Sequence, residues 1–260
     1  MKIRVIAALS AAALLPLTGT AAAASGQDPV EGADLVANAL YEAGPLPRST
    51  CAEKPVKRND KPMARAYINA VVACLDRTWG KHLTAAGLEF QKPRVKYLAK
   101  VPKGYCDLEI DNYNAQAYYC EKNRTLIFQL GKDWLDDPHD LWLFSITSRM
   151  YGIHVQELVG IGAALDEESY DDDAEERELV RRYSLQSDCF AGAFMKSVWP
   201  LKGRSGKDWK TSLNLLLGDE PGDDRVYGKT ANIRAWTKRG FATGNPGSCN
   251  TWTASASKVA

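Results

Sequence analysis

A chain of 260 residues with 33 Lys+Arg against 32 Asp+Glu carries a formal charge of +1, too little of either sign to direct it to nucleic acid or to an anionic membrane surface. Its 45% hydrophobic and 25% charged content is ordinary for a globular protein, with length for one large domain or two small ones. The six cysteines contain no CxxC spacing, which argues against a zinc ribbon or thioredoxin-like site, and their even number suits disulfides made in an oxidising compartment.

In chain order, the first element is an export signal. Lys2 and Arg4 precede an apolar run from Val5 to Leu17, and small residues through Ala24 end in Ala-x-Ala choices. Residues 1–24 are expected to be removed, leaving a secreted, extracellular chain with no membrane attachment. The apolar run is short of the roughly 20 residues that span a bilayer. Residues 25–50 read as a flexible terminal segment and linker, with a short helical pattern at Glu31–Glu42 and three prolines within Gly44–Lys57. The globular domain is placed at 51–260. Met63–Ala86 has apolar residues at helical spacing and predicts a long amphipathic helix. Arg94–Leu98, Ala117–Cys120 and Arg124–Leu130 predict strands, the last two joined by a turn at Glu121–Asn123.

Leu141–Leu165 is apolar nearly all round and predicts a single buried central helix. Asp166–Glu178 is dense in acidic residues, lacks the D-x-D-x-D-G register of a calcium loop, and reads as solvated loop. Glu178–Val198 predicts a second core helix, stopped by Pro200 and Gly203. Lys207–Leu217 and Thr230–Thr243 predict two more, the last stopped by Gly244 and Pro246. Helices dominate beside one small sheet, so the fold class is α+β. Six cysteines allow fifteen pairings; proximity favours Cys51–Cys74 and Cys106–Cys120, which leaves Cys189–Cys249.

Four segments in order carry a resemblance. Ser148-Arg-Met-Tyr-Gly-Ile-His-Val-Gln-Glu-Leu-Val-Gly-Ile161 resembles H-E-x-G-H-H-V-Q-x-x-x-G-I of the bacterial neutral zinc metallopeptidases. Ser184-Leu-Gln-Ser-Asp-Cys-Phe-Ala-Gly192 resembles their E-L-Q-A-D-C-x-A-G. Ala115-Gln-Ala-Tyr-Tyr-Cys120 with Arg124-Thr-Leu-Ile-Phe128 resembles their N-A-F-Y-C hairpin. Asp224-Arg-Val-Tyr-Gly228, Ile233-Arg-Ala-Trp-Thr-Lys-Arg-Gly-Phe241 and Cys249-Asn-Thr-Trp252 resemble the C-terminal segments. The resemblance implies a mostly helical, zincin-like domain over 51–260.

Zinc hydrolysis on that scaffold needs two histidines at i and i+4, a glutamate beside the first as general base, and a glutamate from the next helix as third ligand. Residue by residue, these positions fall on Arg149, Ile153, Met150 and Ser184. Arginine is a permanent cation without a lone pair to give, and isoleucine and methionine supply neither a good zinc ligand nor a base. The resemblance therefore implies a pseudopeptidase: no catalytic residue, no metal, no cofactor, and a protein or peptide partner of unknown identity. The alternative is an active peptidase with a displaced metal site, for which His154 and Glu157 are the candidate residues, with His82 and His139 as the other histidines. His154 is otherwise a supporting or packing histidine. Ser145 and Ser184 lack the G-x-S-x-G context of a serine nucleophile. Asp188 matches a residue that orients a metal-bound histidine in related peptidases; with Arg149 in that place, an Arg149–Asp188 ion pair lined by Ile153 and Met150 is expected.

Overall fold

The computed structural model describes residues 30–110, 112–138, 141–222 and 224–260. The expected signal at 1–24 lies outside the described residues. The elements run α1 (Ala33–Val36), α2 (Lys61–Ala85), β1 (Arg94–Leu98), β2 (Gln116–Cys120), β3 (Thr125–Gln129), α3 (Lys132–Leu135), α4 (Trp142–Leu158), α5 (Ile161–Glu167), α6 (Asp173–Val198), α7 (Gly206–Leu215), α8 (Thr230–Thr243) and α9 (Ala256–Val259). The result is a mostly helical α+β fold with one mixed sheet.

The sheet has the order β1-β3-β2, with β1 parallel and β2 antiparallel to β3. Central β3 is buried at every position, with Leu126 and Phe128 in the main core and Ile127 packed with Val101 and Cys120 on the other face. β2 and β3 meet through the 3-10 turn Glu121–Asn123, closed by Arg124 at φ 53°. α2 starts where the Asp60 side chain accepts from Met63 N (2.9 Å) with Pro62 in the first turn. It then buries Ile68, Val71, Leu75, Trp79 and Leu83 at intervals of three and four residues.

The one long helix expected over Leu141–Leu165 is two. α4 ends at Leu158, and Gly160 at φ +80° turns the chain into α5. A left-handed residue after a helix end is where glycine is favoured, and the apolar run on both sides hid it. The acidic stretch also divides. Asp172 accepts from Ala174 N (2.8 Å) and Glu175 N (3.0 Å), so α6 begins at Asp173 and takes Asp173, Glu175 and Glu176 into its first turn. Carboxylates there are favoured by the helix dipole.

Residues 30–50, read as a flexible segment and linker, are packed. Leu35 and Leu40 are fully buried, and Val30 and Leu35 form a second core cluster with Ile161, Leu179 and Trp252. Within Gly44–Lys57 the backbone forms no helix or strand, yet Leu46 and Val56 are buried and Leu46 N donates to Gly244 O (2.8 Å). Prolines suppress regular structure without preventing burial. Disulfides join Cys51 to Cys74, Cys106 to Cys120 and Cys189 to Cys249, the two pairs that proximity favours and the pair they leave. The last spans 60 residues, and a loop of that size is worth about 4 kcal/mol in the chain-entropy model.

α6 is the axis of the molecule: every residue from Ser184 to Met195 is buried, between α4 on one side and α8 on another. The α6–α8 approach needs glycine, since a Cβ on Gly240 would lie 1.9 Å from Cys189 O. That oxygen is backbone and cannot swing aside. Prediction: Gly240→Ala lowers stability by about 2–3 kcal/mol through overpacking, read as a reduced urea midpoint at unchanged slope; an unchanged midpoint would show that the two helices separate freely.

Candidate functional site

α4 and α6 bring the expected positions together. Arg149 projects from α4 toward α6, where its Nε lies 3.1 Å from Asp188 Oδ1 and its Nη2 donates to Ser184 Oγ at 2.5 Å. Ser184 and Asp188 are one helical turn apart on α6, which aims both at the same guanidinium. The pair is largely dry, with side-chain exposures of 20% for Arg149 and 5% for Asp188. The expected ion pair is present, and Ser184 takes the second donor of the same guanidinium edge. From sequence, Ser184 is a vacated ligand position or an unsupported nucleophile; its role as a partner of Arg149 is missed, although the one-turn spacing to Asp188 is visible.

Met150, one residue round the helix from Arg149, is buried in the main core, and Ile153 packs against that core. Trp142, Ile146, Ala191, Met195 and Leu216 line a pocket that also reaches Arg149 and Asp188. On the solvent side an open groove, also touching both residues, is lined by Tyr113, Tyr118, Leu217 and Tyr227. The Tyr227 ring centre lies 5.9 Å from the guanidinium carbon, within cation–π range. None of these groove residues was a candidate from sequence, though Tyr227 lies in one of the family-like segments.

His154 is fully buried and has both nitrogens engaged. Nε2 lies 2.7 Å from Gln91 O and Nδ1 2.9 Å from Tyr119 Oη. A carbonyl only accepts, so Nε2 carries the proton and Nδ1 accepts from the tyrosine. Burial pushes its pKa down to about 4, so the ring is neutral and its lone pair is spent. Glu157 accepts from the buried Tyr183 hydroxyl, and burial raises its pKa. His82 is buried on α2 and held neutral by desolvation; His139 lies outside the described residues.

Zinc does not fit this donor set. The positions implied as ligands hold a guanidinium, an aliphatic side chain and a hydroxyl whose oxygen already accepts from the guanidinium. Among the described residues, no group of three His, Cys, Asp or Glu side chains is arranged to hold a metal ion. Ser184 faces a cation rather than a base, and Ser145 lines the apolar pocket, so neither has the partner that activates a serine.

Burial pushes the Asp188 carboxyl up to about 6, and the Arg149 guanidinium opposes the shift without cancelling it. Between the ordinary aspartate value of about 3.9 and that value of about 6, the folded chain keeps a proton that the unfolded chain has released. Stability therefore falls as pH rises through that window. Prediction: in urea unfolding, Asp188→Asn flattens the fall in stability seen for the natural chain from about pH 4 to about pH 6. A steeper fall in the variant would reverse the sign and reject the assignment.

Comparison with known proteins agrees with the helix pair. A family model described as "Putative neutral zinc metallopeptidase" matches residues 17–252. The uncharacterized protein YpfJ of Escherichia coli (strain K12) is 26% identical over 209 residues, covering 73% of this chain and 71% of that protein. YpfJ of Escherichia coli O6:H1 matches to the same extent, 26% over 209 residues. No solved structure matches the chain. The match takes in α4, α6 and the segment before residue 51 as well, and on that extent the chain belongs to the neutral zinc metallopeptidase family.

Proposed function

We propose that this chain is an exported, catalytically degenerate member of its family that binds a protein or peptide in the groove beside Arg149. The observation that carries the reading is the Arg149–Asp188–Ser184 cluster, which puts a cation at one ligand position and one of its two acceptors, the Ser184 hydroxyl, at another. Polarising a carbonyl and generating hydroxide both require an ion at those positions, and a buried guanidinium there repels one. With Met150 at the base position and in the core, no carboxylate faces the groove from that point of α4. A binding role rather than a purely structural one is supported by the groove itself. A protein kept only for its fold has no reason to hold an open concavity with exposed tyrosines beside its core helices.

Export is supported by the three disulfides, which persist in oxidising compartments, and by the N-terminal pattern of Met1–Ala24. Among the described residues, no helix is long and apolar enough to cross a membrane. The balanced charge of +1 gives no electrostatic basis for a nucleic-acid partner.

The competing reading, an active peptidase with a displaced metal site, makes a different set of observations. Prediction: the purified protein contains no stoichiometric zinc by elemental analysis, and neither casein nor a mixed peptide library is cleaved with or without added zinc. Cleavage that a chelator stops and zinc restores would overturn the pseudopeptidase reading.

A further inference from the structure

Arg149 is placed and oriented as an anchor for something outside the chain. A guanidinium presents five N–H donors in a rigid plane. Nε and Nη2 engage Asp188 and Ser184 along one edge. Among the described residues Nη1 makes no hydrogen bond, and one-fifth of the side chain remains exposed. Arg149 lines both the apolar pocket and the open groove. Because Asp188 and Ser184 already fix its plane, little side-chain freedom is left to lose when a ligand binds.

We propose that Arg149 anchors a free carboxylate and that the groove takes the C-terminal end of a peptide with an apolar last residue. This rests on the reading that the site holds no zinc. The geometry supplies each part of the recognition. The Nη1 end of the guanidinium meets the carboxylate in a charge-assisted hydrogen bond. Trp142, Ile146 and Leu216, which line the open groove beside Arg149, give the last side chain an apolar wall. The preceding residues lie across Leu217, Tyr227 and Tyr113, which are 70%, 52% and 66% exposed. Exposed large hydrophobic residues gathered along one groove mark a contact surface. Asp219 and Asp224 on the rim oppose a polyanion, which leaves a ligand with one terminal negative charge and an apolar body.

The test uses the purified protein and a panel of acetylated tripeptides ending in alanine, valine or leucine, each as free acid and as C-terminal amide. Binding is followed by calorimetry and by NMR shifts. The expected result is that the acids bind, the amides bind at least about tenfold more weakly as loss of a charge-assisted bond implies, and perturbed resonances cluster at Arg149 and Tyr227. Tyr227→Ala, at an exposed position, should weaken acids and amides alike, while Arg149→Gln should abolish the preference for acids. Should Arg149→Gln fail to fold, the acid–amide ratio in the natural chain still decides. Equal binding of acids and amides, or no binding of either, overturns the anchor. Neither result bears on zinc content or chelator-sensitive cleavage, so the pseudopeptidase reading stands or falls separately.

Discussion

The burial of α6 is the constraint from which the rest of the site follows. A helix buried on all sides from Ser184 to Met195 must give each of its polar side chains an internal partner. Gln186 donates to Tyr41 Oη (2.9 Å) and Cys249 O (3.2 Å) and accepts from Gln156 Nε2 (2.9 Å). Ser187 returns its hydroxyl to Ser184 O (2.7 Å). Arg182, fully buried, donates to carbonyls of Thr251 and Ala254 and to Glu178. The bonds of Gln186 and those of Arg182 to Thr251 and Ala254 tie α6 to α4, to Tyr41 and to the C-terminal segment, so satisfying the helix helps assemble the fold around it. Asp188 belongs to the same set, and Arg149 is the partner that α4 provides.

An ion pair in that place behaves differently from the metal implied by the family. A zinc ion would draw ligands from both helices and present an open coordination position. A guanidinium draws two acceptors from α6 and presents N–H donors instead. On the proposed reading, the exposed face offers a hydrogen-bond donor array where a zinc site would offer a Lewis acid. Dehydrating the pair is costly, and the raised pKa of Asp188 expresses that cost, since burial outweighs the nearby cation. His154 shows the complementary case. Its neighbours Gln91 and Tyr119 fix one neutral tautomer, and burial keeps it uncharged, so it stabilises the α4–β2 contact without titrating near neutrality.

Helix and strand identity was legible where one signal acted alone. The capped, periodic α2 lies within a residue or two of its expected ends, and the three strands and α8 are where turn residues and alternation place them. Errors arose where apolar content masked a backbone event or where polar content masked a helix start. Gly160 breaks an apolar stretch that periodicity alone continues, and Asp172 caps a helix inside what reads as a solvated acidic run. The segment 30–50 failed for a third reason. Proline and small residues describe its backbone, whereas the burial of Leu35, Leu40 and Leu46 depends on surfaces distant in the chain.

By itself the sequence determined the family resemblance, the residue types that stand at the positions the resemblance implies, and two disulfide pairs by proximity with the third left over. Those follow from residue identity and spacing, which need no coordinates. Only the tertiary structure decided which donor of Arg149 meets Asp188, that Ser184 takes another, that Met150 turns into the core, and that Tyr113, Leu217 and Tyr227 converge on one groove. These depend on how α4, α6 and the loop after α7 are set against each other. Side-chain direction at one position of a helix is fixed by what packs on it from far along the chain, and no local pattern carries that information.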